Sequence, residues 1–251
     1  MIPLRDDNPK LGTAIATILI IAANVAVWIF VQGLGTDPRL TESVCTLGAI
    51  PGELLGRVHA GTAVVLSPGH ACMIEDTPNW FTPLTSMFLH GSWFHIIGNM
   101  WFLWVFGDNV EDAMGPLRFI VFYLLCGLAA VATQVLLTPT SAVPMVGASG
   151  AIGGVMGAYA LLYPRAPVHL LVFLGFYVDR IAVPAFLMLG YWFVLQILGG
   201  IPSLSGDGGG VAFFAHIGGF LAGLALVPIF RQPERVAAHR AMRVRQAERS
   251  Y

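Results

Sequence analysis

Charge is scarce in this chain. Of its 251 residues, 11% are Asp, Glu, Lys or Arg, while 56% are hydrophobic. A soluble domain carries about 25% charged residues, so a water-soluble globule of this size lacks the polar cover it needs. The same composition excludes a disordered chain. The net charge is −1 and no basic face is broad enough to hold phosphates, which excludes a nucleic-acid partner. Cysteine is rare as well: three residues cannot build a disulfide framework. A Cys45–Cys72 bridge and two free thiols both remain open, the bridge requiring an oxidising compartment. Lysine is nearly absent, with Lys10 standing against twelve arginines, which points to a GC-rich bacterial genome.

What is present in quantity is long apolar sequence. A helix needs about 20 apolar residues to cross about 30 Å of hydrocarbon. Runs at Leu11–Phe30, Ser86–Val105, Leu117–Leu137, Gly147–Tyr163, Pro184–Leu198 and Val211–Phe230 predict six spans. The first, uncharged, reads as a retained anchor rather than a cleaved signal. Val168–Val178 is a seventh, shorter stretch ending in Asp179–Arg180, expected to be interfacial or re-entrant. The expected class is therefore an all-α membrane protein partnered by the lipid bilayer. Its expected parts are a cytoplasmic N-terminus (1–10), a six-span domain (11–230) with a long outer loop (31–85), and an arginine-rich cytoplasmic tail (231–251). With both termini cytoplasmic, Arg5, Lys10, Arg118, Arg165, Arg180 and the six tail arginines fall inside, leaving only Arg39 and Arg57 outside. The tail reads equally as a lipid-snorkelling anchor or a disordered end. The glycine-rich loop Ser203–Gly210 reads as a hinge.

A polar side chain inside a span is costly and is a functional candidate by default. No Asp, Glu, Lys or Arg lies deep in the six runs. The polar residues there are His90, His95 and Asn99 in the second, Ser149 opening the fourth, and His216 in the sixth. Thr133, Gln134 and Gln196 are expected to bond between helices. Ser149, in Gly147-Ala148-Ser149-Gly150, reads on its own as an N-cap. Its flanking glycines also leave the hydroxyl uncovered beside free backbone N–H groups, which favour an oxyanion. Gly150/Gly154 and Gly153/Gly157 follow the spacing that admits a second helix at backbone distance. Gly219 and Gly223 share a face with His216, so the sixth helix offers a matching smooth stripe. Both polar atoms then reach the same outer third of the bilayer, where an imidazole can activate a hydroxyl. His95 and Asn99, four apart, stack on one face and can either donate to a tetrahedral intermediate or simply bond between helices. A metal held by His90, His95 and His216 is a weaker alternative, since no carboxylate, thiolate or His-Glu-x-x-His motif joins them. Neither a metal nor any other cofactor is expected.

At these residues the chain resembles the rhomboid family of intramembrane serine proteases, from about Trp80 to Gly223. The motifs are His95/Asn99, then Glu111/Gly115/Arg118, then Gly147/Ser149/Gly150, then Ala215/His216/Gly219/Gly223. The resemblance implies a six-helix bundle, Ser149 as nucleophile, His216 as general base, and an oxyanion site made by His95, Asn99 and the Ser149 N–H. It also implies single-span membrane proteins as substrates, cut near the outer face. Some members carry a tyrosine four residues after the serine, packed on the catalytic imidazole. Here that position is Gly153, and Tyr159 lies too far along the helix to replace it. Substrate is expected to enter beside the second and fifth helices, with Gly206–Gly210 as a lid. Glu111 is expected to accept hydrogen bonds and fix the turn between the second and third helices. The working location is a bacterial inner membrane with the site facing the periplasm. The competing reading is a catalytically silent relative that binds membrane proteins or serves in quality control. A transporter would need polar groups through the whole membrane, and an aspartyl protease would need two carboxylates at depth.

Overall fold

The structure is a computed structural model that describes residues 2–67, 69–174, 177–204 and 211–248. The chain opens with strand β1 (Ile2–Asp6) and helix α1 (Ile15–Ala26), which continues through a π-helical turn at Val27–Val31. The long loop that follows is built, not bare: helix α2 (Arg39–Leu47), the single turn α3 (Pro51–Leu54), the hairpin β2 (Ala63–Ser67) and β3 (His70–Met73), and the single turn α4 (Thr82–Thr85). A disulfide between Cys45 and Cys72 ties α2 to β3. The helical body then runs through α5 (Trp93–Met114), α6 (Pro116–Leu137) and α7 (Ser149–Leu162). A second hairpin follows, β4 (Pro167–Leu174) and β5 (Tyr177–Pro184). The chain ends with α8 (Ala185–Leu204), α9 (Phe213–Phe230) and α10 (Pro233–Glu248).

Among the described residues three helices, α6, α8 and α9, are long and apolar enough to cross a membrane; Ile15–Val31 and α7 are apolar but shorter. Helix α7 is the centre of the bundle. Ten consecutive residues, Gly150 to Tyr159, are buried, and α5, α6 and α9 all pack on them. The α7–α9 seam is closed by glycine. A methyl group on Gly219 would lie 1.9 Å from the Gly150 carbonyl oxygen, and one on Gly223 would lie 2.0 Å from that of Gly154. Only helices without side chains at these positions approach at backbone distance.

Four expectations need correction. The protein is not all-α: of the Val168–Val178 stretch, expected to be interfacial or re-entrant, Val168–Leu174 lies in β4 and Tyr177–Val178 in β5, and β1 adds to the edge of β4 with Ile2 opposite Leu171 and Asp6 opposite Val168. The segment between Pro167 and Pro184 is rich in β-branched residues, and Val168 and Leu170 are buried with the period of two that one covered face of a sheet requires. The second helix does not span Ser86–Val105. Ser86–Phe88 is a 3₁₀ turn, Ser92 caps α5 by accepting from the His95 N–H, and His90 precedes the helix. At its other end α5 runs past Val105 because its late carboxylates are buried and partnered. Of the two readings of the tail, the disordered end does not hold for Pro233–Glu248, which form a helix. Helix α10 folds onto the bundle, with His239 buried against the Tyr163 ring and its Nε2 3.2 Å from Asn109 Oδ1.

Glu111 accepts from the N–H groups of Ala16 and Thr17 at 2.9 and 2.8 Å and from the Thr17 hydroxyl at 2.8 Å. It therefore caps α1, which has no side-chain cap of its own, instead of fixing the α5–α6 turn. That turn is made by Gly115 at φ +79°, buried beside the Arg235 side chain, and Arg118 is exposed on the next turn. Nearby, Tyr159 donates to Asp6, which also accepts from Asn109 at 3.0 Å, while Lys10 pairs with Asp108. Burial drives the Asp6 carboxyl up from its ordinary 3.8 to about 6; the Tyr159 hydrogen bond opposes this and the Asp108 charge adds to it. The hydrogen bond to Asp108, in turn, holds the Lys10 ammonium above its usual range.

Candidate active site

At the opposite end of α5 from this carboxylate cluster, a cavity of about 580 Å³ opens between α5, α7, α8 and α9. Ser149, His216, His95, Asn99 and Trp192 line it. Ser149 is the first residue of α7 and its hydroxyl caps nothing: Ala148 is the N-cap residue. The hydroxyl instead points across the seam, where Ser149 Oγ lies 2.7 Å from His216 Nε2. The seam sets this distance, because Gly150 lies next to the serine and Gly219 one turn beyond the histidine, and these two glycines are where the backbones touch.

His216 is held from its other side. Its Nδ1 lies 2.8 Å from Gln196 Oε1 on α8, and the Trp192 ring lies over the imidazole at 5.9 Å and a 38° tilt. The sequence marked Gln196 only as a residue able to bond between helices, and it gave no notice of Trp192. The available signal was a single carboxamide four residues after a tryptophan in an otherwise apolar helix. Gln134 on α6 also bonds between helices, accepting from the Ala215 N–H at 3.1 Å, whereas the Thr133 hydroxyl returns to its own helix at the Ala129 carbonyl.

On the facing wall, His95 Nδ1 accepts from the Gly91 N–H at 3.3 Å. A backbone N–H only donates, so Nδ1 carries the lone pair and the ring proton sits on Nε2. That Nε2–H reaches Gly147, where a Cβ would lie only 2.8 Å from it. Gly147 has φ +131°, so glycine is required there both for conformation and for room. Asn99 is buried, and its Nδ2 has no hydrogen-bond partner among the described residues. His95, Asn99 and Ser149, whose own N–H is left free by its place in the first turn of α7, belong to the walls of the same cavity. His90 is fully buried, its ring edge-on to His95 at 5.1 Å. Among the described residues no group of three His, Cys, Asp or Glu side chains is placed to hold a metal ion, and both nitrogens of His216 are engaged. The suggested lid, Gly206–Gly210, lies outside the described residues.

Residues 77–233 match the family described as the Rhomboid domain, well over half of the chain. The chain is similar to "Rhomboid-like protein 11, chloroplastic" of Arabidopsis thaliana, 31% identical over 62% of this chain and 54% of the relative. It is similar to "RHOMBOID-like protein 6, mitochondrial" of the same plant, 27% identical over 85% of this chain and 68% of the relative. It is also similar to "Rhomboid protease GluP" of Bacillus subtilis (strain 168), 35% identical over 59% of this chain and 26% of the relative. The matched part thus spans about half of the chloroplast protein and a quarter of the Bacillus one. A membrane-embedded helical body, the glycine seam and the family match lead to one conclusion: the chain belongs to the rhomboid family.

Proposed function

We propose that this protein is an intramembrane serine endopeptidase that hydrolyses peptide bonds in or next to the transmembrane segment of single-span membrane proteins. The observation that carries the reading is the 2.7 Å contact between Ser149 Oγ and His216 Nε2 inside an open cavity. Ser149 attacks the substrate carbonyl as His216 Nε2 takes the hydroxyl proton. The tetrahedral oxyanion receives hydrogen bonds from the Ser149 N–H, His95 Nε2–H and Asn99 Nδ2–H. Collapse of the intermediate breaks the C–N bond while His216 returns its proton to the leaving amine. Water then hydrolyses the acyl-enzyme by the same route. A helical carbonyl is shielded by its own turn, so the substrate segment must unwind at the cavity, and helix-breaking residues lower that cost. Entry is beside α5 and α8, the helices that flank the cavity.

The membrane arrangement of this reading is six spans, α1 with α5 to α9, with both termini cytoplasmic, in a bacterial inner membrane. The Cys45–Cys72 bridge supports the orientation. A disulfide persists in an oxidising compartment, and its segment is joined to the cavity end by paired Ala49–Met145 backbone hydrogen bonds, Met145 itself lining the cavity. The cavity then faces the periplasm, with β1, the β4–β5 hairpin and α10 in the cytoplasm. The deciding experiment is cleavage of a model single-span substrate by the purified full chain, with Ser149→Ala and His216→Ala alongside and fluorophosphonate labelling of Ser149. Cleavage lost in both folded variants supports the reading; cleavage that survives either substitution, or its absence in the unaltered protein, overturns it.

A further inference from the structure

The position from which some family members brace the catalytic imidazole is empty of side chain here, at Gly153, and α8 has taken its place. A methyl group on Gly153 would already lie 3.0 Å from the His216 carbonyl oxygen and 3.7 Å from the tip of the Trp192 ring, so Trp192 closes that side. The polar contact comes from Gln196, which is nearly fully buried. Its amide orientation is fixed by chemistry. One end of the carboxamide lies 3.2 Å from the Trp192 carbonyl oxygen, which only accepts, so that end is the NH₂ group. The other end is therefore Oε1, 2.8 Å from His216 Nδ1. Oε1 also only accepts, so Nδ1 must carry the ring proton. Nε2 is then left with its lone pair on the side of Ser149 Oγ, 2.7 Å away.

We propose that Gln196 is the positioning residue of this site: it selects the Nδ1–H tautomer of His216 and fixes the ring's rotation, with Trp192 as the wall behind. This rests on the proteolytic reading of the Ser149–His216 pair. Gln196 touches no reacting atom. It does with a neutral carboxamide what the asparagine of Cys-His-Asn proteases does on another fold. Because both residues belong to α8, and α8 flanks the expected substrate entrance, an outward shift of that helix withdraws the histidine's support.

The test uses the full-length protein labelled with ¹⁵N-histidine. In the Ser149→Ala variant the hydroxyl no longer influences the ring, so the tautomer reports Gln196 alone. The His216 resonances, assigned by their loss in Ser149→Ala/His216→Gln, are expected to show a protonated Nδ1 and a bare Nε2. A protonated Nε2 with bare Nδ1 overturns the proposal without any change at position 196. In the active protein, Gln196→Leu is expected to slow fluorophosphonate labelling of Ser149 by about 10- to 100-fold. Gln196→Glu, which still accepts from Nδ1–H, restores most of it per folded molecule at a pH high enough to keep the imidazole neutral, even where the buried charge lowers its melting temperature. Equal labelling by the Leu and unaltered forms overturns the positioning role. Failure of the unaltered protein to label or cleave sinks the proteolytic reading instead, and leaves the tautomer measurement to decide whether Gln196 orders the ring.

Discussion

The reading of the α7–α9 seam as the part that sets the Ser149–His216 distance makes Gly219→Ala the sharpest perturbation. The added methyl group would lie 1.9 Å from the Gly150 carbonyl oxygen, whereas such contacts are not found under 3.0 Å. The obstacle is backbone on a fully packed helix, so no side chain can swing away and the helices must part by about 1.1 Å. The serine is the residue before Gly150 and the histidine lies three before Gly219, so most of that separation reaches the site. The 2.7 Å contact then stretches to about 3.8 Å, outside hydrogen-bond range. The energetic cost of such overpacking is about 1–3 kcal/mol, enough to lower the melting temperature without abolishing folding. If His216 acts as the proposed general base, loss of this contact removes about 10²- to 10⁴-fold of rate. The assay pairs fluorophosphonate labelling with thermal unfolding in detergent. Gly190→Ala serves as the control, since a methyl group there meets nothing within 4 Å. If Gly219→Ala labels and melts like the unaltered protein, the seam does not set the geometry and the argument fails.

Three further outcomes are expected. Glu111→Ala strips the α1 terminus of three hydrogen bonds to a buried carboxylate and should cost about 3 kcal/mol, read by chemical denaturation. Labelling per folded molecule should be unchanged, because Glu111 lies sixteen residues along α5 from His95, about 24 Å. Asp6 takes up its proton at about 6 when folded and at its ordinary 3.8 when unfolded, so its contribution to stability is present below pH 4 and is lost as the pH rises through 6, by about 3 kcal/mol. Asp6→Asn should therefore raise the melting temperature at pH 7.5 and lose that advantage at low pH; an equal shift at both would refute the assignment. Reducing the Cys45–Cys72 bridge, which closes a loop with a separation of 27 residues, should cost about 3.5 kcal/mol by loop entropy, seen as a lower unfolding midpoint in reductant.

The apolar runs were legible because burial along a helix leaves long uncharged sequence, and the seam because glycines four apart have few other uses in a span. The places where the reading went astray share one cause: each depends on a partner far away in the chain. Whether Val168–Val178 is helix or strand is ambiguous from a short apolar run, and what settles it is pairing with β1, some 165 residues earlier. Glu111 and Asp112 look like the charged stop of α5, yet they are consumed by the first turn of α1 and by the Leu11 N–H, about a hundred residues away. His90 stands among apolar neighbours and reads as helical, but its N–H and carbonyl are spent on the Gln32 side chain at 2.8 Å each, just after the π-turn of α1. Gln196 was visible as a polar residue in an apolar helix; its direction was not, because that depends on the rotation of α8 against α9.

The distribution of charge along the bundle then has a single physical explanation. A serine nucleophile needs an imidazole held in one tautomer, and in soluble triads a buried aspartate does this and also balances the imidazolium. A carboxylate beside His216 would carry a full charge into a region walled by Trp192, Phe213 and the α7–α9 seam, where an unpaired charge costs several kcal/mol. A carboxamide selects the same tautomer with dipoles alone, and its own N–H is absorbed by the Trp192 carbonyl. Among the described residues the buried carboxylates, Asp108, Glu111 and Asp112, all lie at the other end of α5, where helix-start N–H groups and Lys10 compensate them. Introducing charge at position 196 thus tests the same balance from the other side. Gln196→Glu should keep the tautomer yet stabilise the imidazolium, so labelling of Ser149 in that variant should require a higher pH than in the unaltered protein. An unchanged pH dependence would show that the region around His216 is too wet for the argument to hold.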